Sequence, residues 1–122
     1  MARVILLGLP EDIARQLAGV LQAEKHQVSY KTYFDDLRHA QKPLVVFISG
    51  DMPDFTKNVA SLRDLQPDVP VVVVTRSPET KQWLDALEAG ATDYCGAPFE
   101  RVQVRWVMNS VLSYAAKHRA AA

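Results

Sequence analysis

The sequence predicts an α/β domain, a five-stranded parallel sheet with helices on both faces. Three observations predict it. The 122 residues fit one domain with one core. The runs at 4–7, 44–48 and 71–74 are apolar throughout, the pattern of strands buried on both faces. Between these runs, apolar residues recur at helical spacing. Strand and helix in alternation imply right-handed crossovers and parallel strands.

Each element has its own justification. Val4 to Leu7 is the first strand. Pro10, Glu11 and Asp12 then open a helix, because proline suits the first helical position and acids there complement the helix dipole. Ile13, Leu17, Val20 and Leu21 carry that helix to about Lys25. Gln27 to Tyr33 alternates as a shorter strand, and Asp35 to Ala40 is a short helix. Leu44 to Ile48 is the next strand, with Ser49 to Asp54 as its exit loop. Val59, Leu62 and Leu65 mark a helix that Pro67 ends. Val71 to Val74 is a strand closing on Thr75. Trp83, Leu84, Leu87 and Ala89 belong to a helix that stops at Gly90, a natural C-cap, with Leu84 and Leu87 expected inside. Thr92 to Cys95 is the last strand. Val104, Val107, Met108, Val111, Leu112 and Ala115 form the inner stripe of a long final helix. From Ala115 the core pattern fades, as expected of a helix leaving the domain toward a further segment.

Composition excludes several functions. Lys plus Arg and Asp plus Glu both number 14, so the formal net charge is +0, without the basic excess of a nucleic-acid binder. The apolar stretches are too short to span a bilayer. The N-terminal apolar run leads straight into a helix pattern, which fits a strand and not a cleaved leader. The single Cys95 has no internal disulfide partner and reads as a buried thiol, consistent with a cytoplasmic protein. His26, His39 and His118 are too dispersed for a metal site.

The loop Asp51-Met52-Pro53-Asp54, Thr75 at its strand end, and Gly90-Ala91, Tyr94 and Pro98-Phe99 in this order carry a likeness. From Arg3 to about Leu112 the chain resembles a CheY-like response-regulator receiver domain. The resemblance implies strand order 2-1-3-4-5 and ligand chemistry beyond the carboxyl ends of the strands. In receivers an acid pair holds Mg²⁺, an aspartate accepts a phosphoryl group, a Thr or Ser hydrogen-bonds it, and a lysine neutralises it.

Laid on this sequence, the acid pair falls on Gly8 and Leu9, the acceptor on Ser49 and the lysine on Ala97. Only Thr75 and the switch-type aromatic Tyr94 match. Gly8 and Leu9 offer no anionic oxygen to a hard cation. Ser49 cannot form an acyl phosphate, and no base is placed to activate its hydroxyl. Its expected role is a bond to local backbone. Glu11 and Asp12 are read as first-turn acids and not as a displaced metal pair. Asp51 is the one carboxylate that offers an alternative acceptor, and its expected role is a solvated loop acid.

The resemblance therefore implies a degenerate receiver, or pseudo-receiver, that works through protein contacts. No cofactor, metal or enzymatic activity is expected. Trp83, Tyr94, Val102 and Trp106 are the candidate interface, since tryptophan is enriched in binding hot spots and this face serves receivers in dimerisation. The expected partners are a second copy of the chain and a downstream output domain in a longer transcriptional or signalling regulator, with no nucleic acid or membrane bound by residues 1–122. Two alternatives stay open: a phosphorelay receiver using Asp51, and a small-molecule-sensing module of flavodoxin type with a helix N-terminus after Gly8-Leu9-Pro10.

Overall fold

A computed structural model describes residues 3–33, 37, 45–77 and 79–121, with side chains through residue 114. Its elements are β1 (Arg3–Leu7), α1 (Glu11–Ala23), β2 (Gln27–Lys31), β3 (Val45–Ser49), α2 (Phe55–Leu65), β4 (Val71–Thr75), α3 (Thr80–Ala89), β5 (Asp93–Gly96) and α4 (Arg101–Ala121). The strands form one sheet in the order β2-β1-β3-β4-β5, all neighbours parallel. This is the order the sequence resemblance implied. Four helices lie among the described residues. Of the short helix expected over Asp35 to Ala40, only Leu37 is described, and it is buried.

Alternate side chains along the central strands β1, β3 and β4 feed two separate cores, as the pleat requires. Val4, Leu6, Phe47, Val72, Val74 and Cys95 pack toward the buried faces of α1 and α4. Ile5, Leu7, Val46, Ile48, Val71 and Val73 pack against Phe55, Val59 and Leu62 of α2 and Ala86 of α3. Both cores explain why the central strands are apolar at every position. Phe47 is fully enclosed, and truncating such a side chain typically costs about 3–5 kcal/mol. The stripe on α4 is as expected for Val104, Val107, Met108 and Val111, all buried, with Leu112 partly so. Ala115 falls outside the described side chains.

One expectation fails. Leu84 and Leu87 are exposed by 53% and 37%, and only Ala86 of α3 is buried. The small Ala86 seats α3 on the sheet, so its larger apolar residues face outward. Gly90 ends α3 as expected, at φ 113, a left-handed conformation that glycine adopts without strain.

Candidate functional site

The parallel register places the carboxyl ends of β1, β3 and β4 side by side, Leu7 opposite Ile48 and Ser49 opposite Val74. Their exit loops therefore share one edge. The strand order reverses between β1 and β3, the place where open α/β sheets bind ligands. A cleft of about 270 Å³ opens there, lined by Leu7, Gly8, Thr32, Ile48, Ser49, Met52 and Asn58. Among the described residues, none in that lining has an ionisable side chain.

Gly8 turns out of β1 at φ 64, and its amide donates to the Lys31 carbonyl at 2.8 Å. Leu9 does not join Gly8 in the cleft. It packs against the core beneath α1 and lines a separate hollow with Glu11, Ala14, Arg15 and Tyr30. Ser49 is buried, and its Oγ accepts the Asp51 amide at 3.2 Å, the local backbone role expected of it. Ala97 is partly buried against the α1/α4 core, donates its amide to the Thr75 carbonyl at 2.8 Å, and precedes Pro98 through a cis peptide bond.

Asp51 is exposed as a residue, as a loop acid should be, yet its carboxylate is engaged. Oδ1 accepts the Thr75 hydroxyl at 2.5 Å and the Arg76 amide at 3.3 Å, and Oδ2 accepts the same amide at 3.1 Å. Thr75 is 1% exposed, and its Oγ1 in turn accepts the Ser77 amide at 3.1 Å. The Arg76 guanidinium reaches across to Asp12 with two bonds of 2.5 Å. Those bonds hold the Asp12 carboxyl below its ordinary pKa. Asp12 thus serves as an ion-pair partner beside its place in the first turn of α1.

These residues do not fit a divalent cation. Mg²⁺ wants several anionic or carbonyl oxygens converging in octahedral geometry. Among the described residues the cleft lining has no carboxylate, and Asp12 and Asp51 are committed to Arg76 and Thr75. Among the described residues no group of three or more His, Cys, Asp and Glu could hold a metal.

A second centre lies at β5 and α3. The Tyr94 hydroxyl donates to Gln82 Oε1 at 2.6 Å and accepts the Glu79 amide at 3.4 Å. Gln82 Nε2 donates to the Gly50 carbonyl, the neighbour of Asp51. Tyr94 and Trp83 line one shallow hollow with Glu79 and Thr80. Val102 and Trp106 line another on α4, with Arg105, Asn109, Ser110 and Ser113. Trp83, Val102 and Trp106 are exposed by 43%, 64% and 74%. Burial pushes the Cys95 thiol up to about 12.

Sequence reasoning missed Arg76, Gln82 and Arg63. Arg63 of α2 donates to the carbonyls of Pro67, Val69 and Gly90 and to Thr92 Oγ1. The only sequence signal for Arg76 is its place directly after the strand-end threonine. No helix among the described residues is long and apolar enough to cross a membrane.

No family model matches the chain, and no curated protein sequence does. Solved structures do. NtrX from Brucella abortus is 20% identical with TM-score 0.88, over 98% of this chain and 29% of that one. The chain thus spans less than a third of that neighbour. A CheY-like response regulator receiver domain protein from Methanospirillum hungatei JF-1 is 16% identical with TM-score 0.80, covering 97% of this chain and 98% of that one. The beryllofluoride-activated NtrC4 receiver domain dimer is 20% identical with TM-score 0.76, covering 93% and 99%. At such identities the likeness speaks for architecture alone. The chain has the fold of response-regulator receiver domains.

Proposed function

We propose that this chain is a pseudo-receiver, a signalling module that works by protein contacts and without phosphoryl transfer. One observation carries the reading: among the described residues, the cleft at the switch point has an uncharged lining, Leu7, Gly8, Thr32, Ile48, Ser49, Met52 and Asn58. Phosphoryl chemistry needs a hard cation and a countercharge at the reacting group. Gly8 and Ser49 supply neither, and Ala97 brings no cation. The alternative acceptor Asp51 has both carboxylate oxygens engaged.

The contact surface in this reading is the side of α3, β5 and α4. Trp83, Leu84, Leu87, Val102 and Trp106 expose large apolar side chains there, more than a solvated helix face needs. A second copy of the chain is the first partner proposed, since one structural neighbour is described as a receiver domain dimer. An output domain in the same regulator is the second. A small-molecule role has one observation behind it, the cleft itself, which would suit a small neutral ligand.

Titration of the ¹⁵N-labelled protein with beryllofluoride and millimolar Mg²⁺ tests the reading. Unchanged amide signals at Gly8, Ser49, Gly50 and Thr75 are expected. Saturable shifts at those amides would overturn it.

A further inference from the structure

We infer that Asp51 is a built-in ligand, whose carboxylate fills an oxyanion-binding pair formed by the Thr75 hydroxyl and the Arg76 amide. The inference deepens the phosphate-independent reading and rests on it for its regulatory meaning.

The bonding directions leave little freedom. Thr75 Oγ1 accepts the Ser77 amide, so its own proton is available for one acceptor, and Asp51 Oδ1 stands 2.5 Å away. The Arg76 amide points between both carboxylate oxygens. Hydrogen bonds to an ionised acceptor are roughly twice as strong as neutral ones. The Asp51 backbone is itself held, its amide donating to Ser49 Oγ. The Arg76 guanidinium sits above, tied to Asp12. The acid comes from the β3 exit and the donors from the β4 exit, so the carboxylate joins two loops that meet only through the fold.

The β3 exit loop also reaches the apolar surface. Gly50, next to Asp51, accepts from Gln82, and Gln82 accepts from the Tyr94 hydroxyl beside Trp83. With Asp51 in place, the loops and the Trp83–Tyr94 hollow are held in one arrangement without any incoming anion. An external oxyanion finds the donors occupied.

Removing the carboxylate tests this. Asp51→Ala frees both donors while leaving Arg76 and Thr75 intact. The spectrum of Asp51→Ala is expected to move at Arg76 and Ser77 and also at Gln82 and Tyr94. Sodium formate or inorganic phosphate should then bind the variant, shifting Arg76 and Ser77 saturably and returning Gln82 and Tyr94 toward wild-type positions. Wild type and Asp51→Ala/Thr75→Val should not respond. If Asp51→Ala unfolds, Asp51→Asn serves: the neutral acceptor should keep the fold and move the Arg76 amide proton upfield. The inference is overturned if Gln82 and Tyr94 stay unmoved in Asp51→Ala, if the anions shift wild type equally, if a folded Asp51→Ala binds neither anion, or if Asp51→Asn leaves Arg76 unchanged. No phosphoryl donor or Mg²⁺ is present in these samples. A failure here is therefore distinct from detection of a phosphorylated chain, which would defeat the proposed function and leave the donor assignment standing.

Discussion

Replacing Arg63 should destabilise the domain more than any other single polar substitution on α2. Its guanidinium makes bonds of 2.7 Å to the Val69 carbonyl, 3.0 Å to Pro67, 2.8 and 3.2 Å to Gly90, and 3.3 Å to Thr92 Oγ1. The Gly90 carbonyl closes α3, where the helix dipole is negative and a cation is favoured. A hydrogen bond to a charged group contributes about 1.5–3 kcal/mol, but carbonyls near the surface regain water when the donor leaves. The Pro67 bond is exposed and should count for little. The bonds to Val69 and Gly90 are part-buried, so the expected loss for Arg63→Met, which keeps the apolar stem, is about 2–4 kcal/mol. For a chain of this size that corresponds to a fall in Tm of roughly 10 °C. Arg63→Lys should recover only part, since one ammonium cannot reproduce a planar fork aimed at separate oxygens. Urea unfolding followed by tryptophan fluorescence measures both. A loss under about 0.5 kcal/mol for Arg63→Met would refute the reasoning, because that is the range of an ordinary surface substitution.

Three further outcomes are expected. If the proposed dimer forms through this face, Trp106→Ala and Trp83→Ala should lower the solution mass measured by light scattering toward that of a monomer, with the smaller cost in stability at Trp106, which is 74% exposed against 43% for Trp83; an unchanged mass in both variants would place the contact elsewhere. The Asp12 carboxyl is depressed by Arg76, so its stabilising contribution is present above the unfolded carboxylate pKa and is lost as pH falls through the lower folded value. The stability gap between wild type and Arg76→Gln should therefore exist at neutral pH and close in acid, and a pH-independent gap in urea titrations would contradict the ion pair. Cys95 is buried with its thiol pushed up to about 12, so iodoacetamide should label it only in denaturant; rapid labelling of the native protein, seen by intact mass, would count against its packing.

The sheet was legible in the sequence because parallel strands covered on both faces are apolar at every position, as Val45 to Ile48 and Val71 to Val74 are. Gly90 and the stripe from Val104 to Val111 were legible for equally local reasons. Leu84 and Leu87 were not. Helical periodicity groups apolar residues on one face but does not say whether that face meets the core or the solvent, and here Ala86 takes the core position. Gly8, Ser49 and Thr75 were placed near one another by resemblance, and the register brings their loops together. The engagement of Asp51 was hidden, since it depends on partners at the end of β4 and just beyond it, 24 and 25 residues away. Polar side chains such as Arg63 and Gln82 find partners 27 and 32 residues distant with no periodic signature to reveal them.

The proposed function is that this receiver-like domain works without phosphoryl transfer, with a cleft whose described lining is uncharged. Intact-mass spectrometry of the protein after incubation with acetyl phosphate, Mg²⁺ and a panel of phosphorylated histidine kinases tests it most directly. The account predicts a single species at the unmodified mass. A stoichiometric adduct of one phosphoryl group, lost on Asp51→Asn or Ser49→Ala, would contradict it.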